Sequence, residues 1–95
     1  MSEQMYARAA DLLEAELGEE LVALEPKRGE CFGFNEVATC VWRMLDQPRS
    51  FESLTQGLLA QYEVDPGECE RDLTALLAKL REMDLIRYDP ENSRI

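Results

Sequence analysis

The chain has 95 residues, 45% of them hydrophobic, with 20 acidic side chains against 10 basic ones and a formal net charge of −10. That length suits one domain with a thin core, because a chain of this size buries only roughly 60–65% of its unfolded surface. No third of the sequence is net basic, which makes nucleic acid and anionic membrane surfaces poor partners.

Residues 1–11 read as an N-terminal arm, frayed or shortly helical, ahead of a domain spanning 12–88 and a disordered tail over 89–95. Leu13, Ala15 and Leu17 alternate with Glu14 and Glu16, the period-2 pattern of a half-buried strand. Gly18-Glu19 supplies a turn, and Leu21-Val22-Ala23-Leu24 reads as a second strand. Pro26-Lys27-Arg28-Gly29 is a turn cluster, and Glu30 to Phe34 forms a third strand with Phe32 and Phe34 on one face. Such short connections between successive strands imply an antiparallel meander.

Helical signals begin at Asn35, an N-cap residue with Glu36 in the first turn. Val37, Val41, Met44 and Leu45 recur at helical spacing with Trp42 beside them, and Pro48 stops the helix. Ser50 caps a second helix with the apolar stripe Phe51, Leu54, Leu58 and Tyr62. Gly57 inside it costs about 1 kcal/mol relative to Ala and therefore signals close approach of another element. Asp65-Pro66-Gly67-Glu68 is the clearest start signal, with an N-cap, proline in the first turn and a capping-box-like glutamate. That third helix runs to about Met83, with Cys69, Leu73, Leu76, Leu77, Leu80 and Met83 toward the core, and Leu85-Ile86 packs back as an apolar tail. The fold class is α+β: three antiparallel strands followed by three helices in one unit.

The side-chain inventory excludes most catalysis. There is no histidine, so the usual general base, the histidine-containing nucleophile triads and histidine metal sites are all missing. Cys31, Cys40 and Cys69 form no C-x-x-C pair and read as small buried hydrophobes, while the carboxylates fall mostly on solvent faces. Glycine-rich phosphate loops are absent. No apolar run approaches the roughly 18 residues of a membrane span, and the N-terminus has no secretory-signal pattern. We therefore expect a cytoplasmic, soluble protein that is not an enzyme and uses no metal or cofactor.

A three-stranded meander leaves its outer strands with open edges. The third strand is short, has no proline to block its N–H groups, and carries Gly33, which lets another backbone approach. An extended peptide adding to that edge is one reading; cover by the third helix or by the arm is the other.

Gly29 to Ala38 (GECFGFNEVA) resembles the G-x-x-Y/F-x-L-N-x-x-A/G segment of PqqD-like proteins, the chaperones of pyrroloquinoline quinone biosynthesis and the wider set of precursor-peptide recognition elements. Val41 to Leu45 resembles that family's I-W-x-L-L helix, and Pro48 to Leu54 its capped second helix. Tyr62 to Asp65, Glu70 to Leu73 and Leu76 to Ile86 are similar to the segments that follow, so the likeness covers about residues 12–88. Two positions depart from the pattern: Phe34 stands for leucine, and Asp84 for glycine.

The resemblance implies a non-catalytic, winged helix-turn-helix-like domain that binds the leader of a ribosomally made precursor peptide as an added strand, between the third strand and the third helix. Carried onto this chain, the peptide pairs with Glu30, Cys31, Phe32, Gly33 and Phe34 and contacts Asp72, Leu76 and Lys79 on the third helix. Lys79 and Arg28 meet leader carboxylates, and Phe34 with Leu76 forms an apolar pocket, whereas Trp42 and Leu73 belong to the core. The standalone lasso-peptide type is favoured, with a leader peptidase and a macrocyclising synthetase as partners. The alternative is a quinone-type chaperone for a radical S-adenosylmethionine enzyme. A winged-helix DNA-binding regulator is a third reading, disfavoured because the third helix carries six acidic groups against three basic ones between Asp65 and Asp84.

Overall fold

A computed structural model of the chain describes residues 5–89. Its strands β1 (Met5–Arg8), β2 (Leu13–Leu17), β3 (Glu20–Glu25) and β4 (Glu30–Phe34) precede helix α1 (Glu36–Met44). Then come the two-residue β5 (Arg49–Ser50), α2 (Phe51–Gln61), α3 (Pro66–Glu82) and β6 (Ile86–Asp89). β2, β3 and β4 form the expected antiparallel meander. Gly18 and Gly29, with φ of 68° and 69°, close its two turns in the left-handed region that glycine enters at no steric cost.

All three helices start where the sequence indicates. Asn35 Oδ1 accepts from the Ala38 N–H at 2.8 Å, Ser50 Oγ from Ser53 at 3.0 Å, and Asp65 Oδ2 from Glu68 at 3.1 Å. Each cap satisfies a backbone donor that has no partner inside the helix. The helices cover one face of the meander around Trp42, Leu21, Leu45, Leu54, Leu73 and Leu77, all essentially without exposed surface. A side-chain carbon at Gly57 would collide with the Met44 sulfur, so α1 approaches this helical position closely and the Met44 side chain would have to shift to admit one.

The termini depart from expectation. Met5–Arg8, read as arm, is a strand that pairs with both β5 and β6 in a second small sheet of order β5-β1-β6. Ala7 is buried, and Arg8 donates to the Trp42 carbonyl at 2.6 Å while its guanidinium lies 4.3 Å from the Trp42 ring centroid. Leu85 and Ile86 do pack back, as expected, and the chain continues as β6 through Asp89, inside the span read as tail. The remainder of that span lies outside the described residues.

The alternation in β2 is present but faces the opposite way. Leu13 and Leu17 are 61% and 65% exposed, whereas Glu14 and Glu16 turn toward α1. Glu14 Oε2 accepts from the Trp42 indole N–H at 2.8 Å, and Glu16 pairs with Arg43 at 2.7 Å. Register places Leu13 opposite Leu24 and Ala15 opposite Val22, with Cys31 and Gly33 continuing the row, so the outer face of the sheet is apolar. The cysteines differ among themselves too: Cys31 is exposed on that outer face, Cys40 is half-buried, and only Cys69 is a core residue. Burial pushes the Cys40 and Cys69 thiols above their ordinary pKa, so both stay protonated.

Candidate functional site

Among the described residues β4 pairs with β3 on one side only, which leaves its other edge open. Successive residues of a strand direct their backbone groups to alternate sides, so half of the N–H and C=O groups of Glu30–Phe34 face away from β3. Gly33 has open space where a side chain would stand, and no proline interrupts the strand. The Phe34 carbonyl accepts from the buried Thr39 hydroxyl at 3.2 Å, which anchors the end of β4 to α1.

Beside that edge runs a groove of about 330 Å³. Its strand wall is Cys31 to Asn35, and its helix wall is Leu76, Lys79, Leu80 and Met83 of the α3 region, with Ala38 from α1. Positions 76, 79, 80 and 83 recur at three- and four-residue spacing and so share one face of a helix. Leu73 and Leu77, by contrast, point into the core. Phe34 is 5% exposed and packs against Trp42 with ring centroids 5.7 Å apart, which fixes one side of the floor. Phe32 and Leu76 are half-buried, so the groove offers apolar surface without being filled. Lys79 has no ion-pair partner among the described residues and supplies a cation at the rim.

The structure thus brings Cys31, Phe32, Gly33, Phe34, Leu76 and Lys79 together around one groove. It places Asp72 outside the lining, exposed one turn before Leu76 on α3. Glu30 and Arg28 also stand apart: Glu30 Oε1 lies 3.6 Å from the Arg28 guanidinium, which donates to Asp84 Oδ2 at 3.2 Å. Arg28 lines a second cleft, of about 670 Å³, which shares Met83 with the groove's lining. Sequence reading missed Asn35, Ala38 and Leu80 as lining, and placed Met83 in the core; the helical spacing from Leu76 was the available signal for the last two. Among the described residues, no cluster of three or more Cys, Asp or Glu could hold a metal ion, and no helix is long and apolar enough to cross a membrane.

The model of the family described as coenzyme PQQ synthesis protein D (PqqD) matches residues 20–86, a span that holds β3, β4 and all three helices. The chain belongs to the PqqD family. Two solved structures share its fold along nearly their whole length. TbiB1 in complex with the TbiA(beta) leader peptide is 27% identical with a TM-score of 0.75, covering 85% of this chain and 94% of that one. Lasso peptide synthetase B1 complexed with the leader peptide is 29% identical with a TM-score of 0.69, covering 86% of this chain and 96% of that one. No curated protein sequence matches the chain. As a PqqD-family domain, the protein combines the family's α+β fold with an edge strand that is open beside its groove.

Proposed function

We propose that this PqqD-family protein binds the leader of a ribosomally made precursor peptide as a strand added to β4 and presents it to the enzymes that modify it. The observation that carries this reading is the juxtaposition of an open β4 edge with an apolar groove walled by α3. Backbone pairing gives affinity that is nearly independent of sequence, and the groove beside it selects side chains. Two relatives that share the fold at 27% and 29% identity hold leader peptides, which supports the same use here. Glu30 to Phe34 form the pairing edge, Leu76 with Phe34 receives an apolar side chain, and Lys79, Arg28 and Asp72 set charge preference around it. The domain does no chemistry itself and works in the cytoplasm beside its enzyme.

A lasso-peptide pathway, with a leader peptidase and a macrocyclase as partners, is favoured because lasso peptide synthetase B1 is matched over nearly all its length. A quinone-cofactor pathway is the second reading, favoured by the description of the family model.

The test is titration of a fluorescently labelled candidate leader against the wild-type chain, Phe32→Pro and Gly33→Pro, with circular dichroism to confirm folding. Adjacent residues alternate in direction, so one of these prolines removes an outward N–H and the other a bond to β3. Saturable binding that is lost in the folded outward-facing variant supports strand addition, and binding retained by both variants overturns it.

A further inference from the structure

An ion pair joins two turns near the start of β4, between Arg28 and Asp84, both of which line the second cleft. Arg28 sits on the β3–β4 turn, where its own N–H donates to Glu25 Oε1 at 2.7 Å and the Gly29 N–H donates to the Glu25 carbonyl at 2.8 Å. Asp84 sits just past α3, with φ of 61°, and is held there by its N–H to the Arg81 carbonyl at 3.0 Å and by Leu85 N–H to the Leu80 carbonyl at 3.0 Å. Both turns are therefore fixed by backbone bonds, while the side chains that meet between them are exposed, 54% for Arg28 and 70% for Asp84.

The second cleft and the groove share Met83 in their linings. The charged lining of the cleft is balanced: Lys27, Arg28 and Arg87 against Asp11, Glu25 and Asp84. Arg28 stands two residues before Glu30, so a peptide strand extended past the start of β4 would pass its guanidinium. A carboxylate suits a guanidinium because two N–H groups can face its two oxygens. Exchanging one exposed carboxylate for another on Arg28 costs little, since exposed ion pairs are weak.

We infer that an acidic side chain of the bound peptide takes Arg28 from Asp84, and that Asp84 acts as a built-in competitor that tempers the groove's preference for a carboxylate at this end. This rests on the peptide-binding reading above and deepens it by naming the side-chain class read there.

The test uses a displayed library of random 15-residue peptides, selected separately against the full wild-type chain, Arg28→Gln and Asp84→Gly. All three should fold, because both positions are exposed and glycine accepts a positive φ. Peptides that depend on the β4 edge, shown by loss with the outward-facing proline variant, should share one Asp or Glu at a fixed distance from their apolar anchor. That acidic position should disappear from the Arg28→Gln selection. In synthetic versions of a selected peptide, changing the acid to its amide should weaken wild-type binding about two- to five-fold and leave Arg28→Gln binding unchanged. Asp84→Gly should tighten the acidic peptide by a similar factor and leave the amide peptide unaffected. Edge-dependent peptides without the acidic position, or an acidic preference that survives Arg28→Gln, overturn the inference alone. So does an Asp84→Gly variant that shifts both peptides equally, which marks a purely structural role. A library that yields no edge-dependent peptide overturns the peptide-binding reading itself and this inference with it.

Discussion

The indole N–H of Trp42, a residue with no exposed surface, donates to Glu14 Oε2 at 2.8 Å, from α1 to the strand β2. Arg8 of β1 completes the arrangement, with a guanidinium nitrogen 3.8 Å from the same carboxylate oxygen and its charge over the Trp42 ring. A tryptophan at the centre of so thin a core needs an acceptor for its one donor, and β2 supplies it by turning a glutamate inward.

Removing that acceptor should cost stability. Glu14→Ala leaves a buried donor unsatisfied and is expected to destabilise by about 1–3 kcal/mol, whereas Glu14→Gln retains a carbonyl oxygen and should cost less. Urea unfolding followed by fluorescence of the single tryptophan measures both. Equal effects of the two variants would show that the bond contributes nothing.

The inverted sense of β2 separates two leucines in adjoining strands. Leu17 is exposed and Leu21 is buried. Leu17→Thr should change stability by less than about 0.5 kcal/mol, and Leu21→Ala should cost about 2–5 kcal/mol. A large loss from Leu17→Thr in the monomer would mean that β2 packs its leucines inward.

Glu36 in the first turn of α1 should make stability depend on pH. The protonated Glu36 carboxyl donates a hydrogen bond to the Glu19 carboxylate in the β2–β3 turn, and this bond, together with the charges of Glu19 and Glu20, raises its pKa above the ordinary 4.5. The fold therefore holds that proton more tightly than the unfolded chain does. The contribution is fully present below about 4.5 and is lost as pH rises through the raised folded value. At neutral pH, Glu36→Gln should be more stable than wild type, and the gap should close on acidification toward 4.5. Thermal melts across that window decide the matter. A variant less stable than wild type at neutral pH would mean that attraction of the Glu36 charge to the helix N-terminus outweighs its repulsion from the turn.

Neighbouring positions on α3 should separate binding from folding. Leu76 is half-buried on the groove and Leu77 is 2% exposed in the core. Leu76→Glu should keep the fold by circular dichroism and weaken peptide binding at least about ten-fold, because an apolar contact is replaced by a charge that the peptide side must desolvate. Leu77→Glu should fail to fold. Unchanged affinity in Leu76→Glu would remove the groove from the binding surface.

Much of this molecule is legible in its sequence because its signals are local. Asn35, Ser50 and Asp65 cap helices through donors three residues away, and Gly18 and Gly29 turn hairpins through their own backbone freedom. The meander, with its third strand from Glu30 to Phe34, and the three helices follow from such short-range chemistry. Leu76 and Lys79 were likewise within reach, since helical spacing puts them on one face.

The rest of the fold depends on residues far apart in the chain. Period-2 alternation in β2 says that two faces differ, but which face turns inward is set by Trp42, 28 positions away, whose donor selects Glu14 over a leucine. The strands β1, β5 and β6 have two to four residues each and no local signature, and they exist because Tyr6 finds Arg49 and Tyr88 across the sheet. The pairing of Arg28 with Asp84 spans 56 positions and joins two turns that local rules treat separately. Local sequence chemistry set the meander, the three helices, the exclusion of histidine chemistry and an edge without proline. The packed chain determined that this edge stands open beside a groove, because closing those long loops is favourable only when the whole core is buried at once.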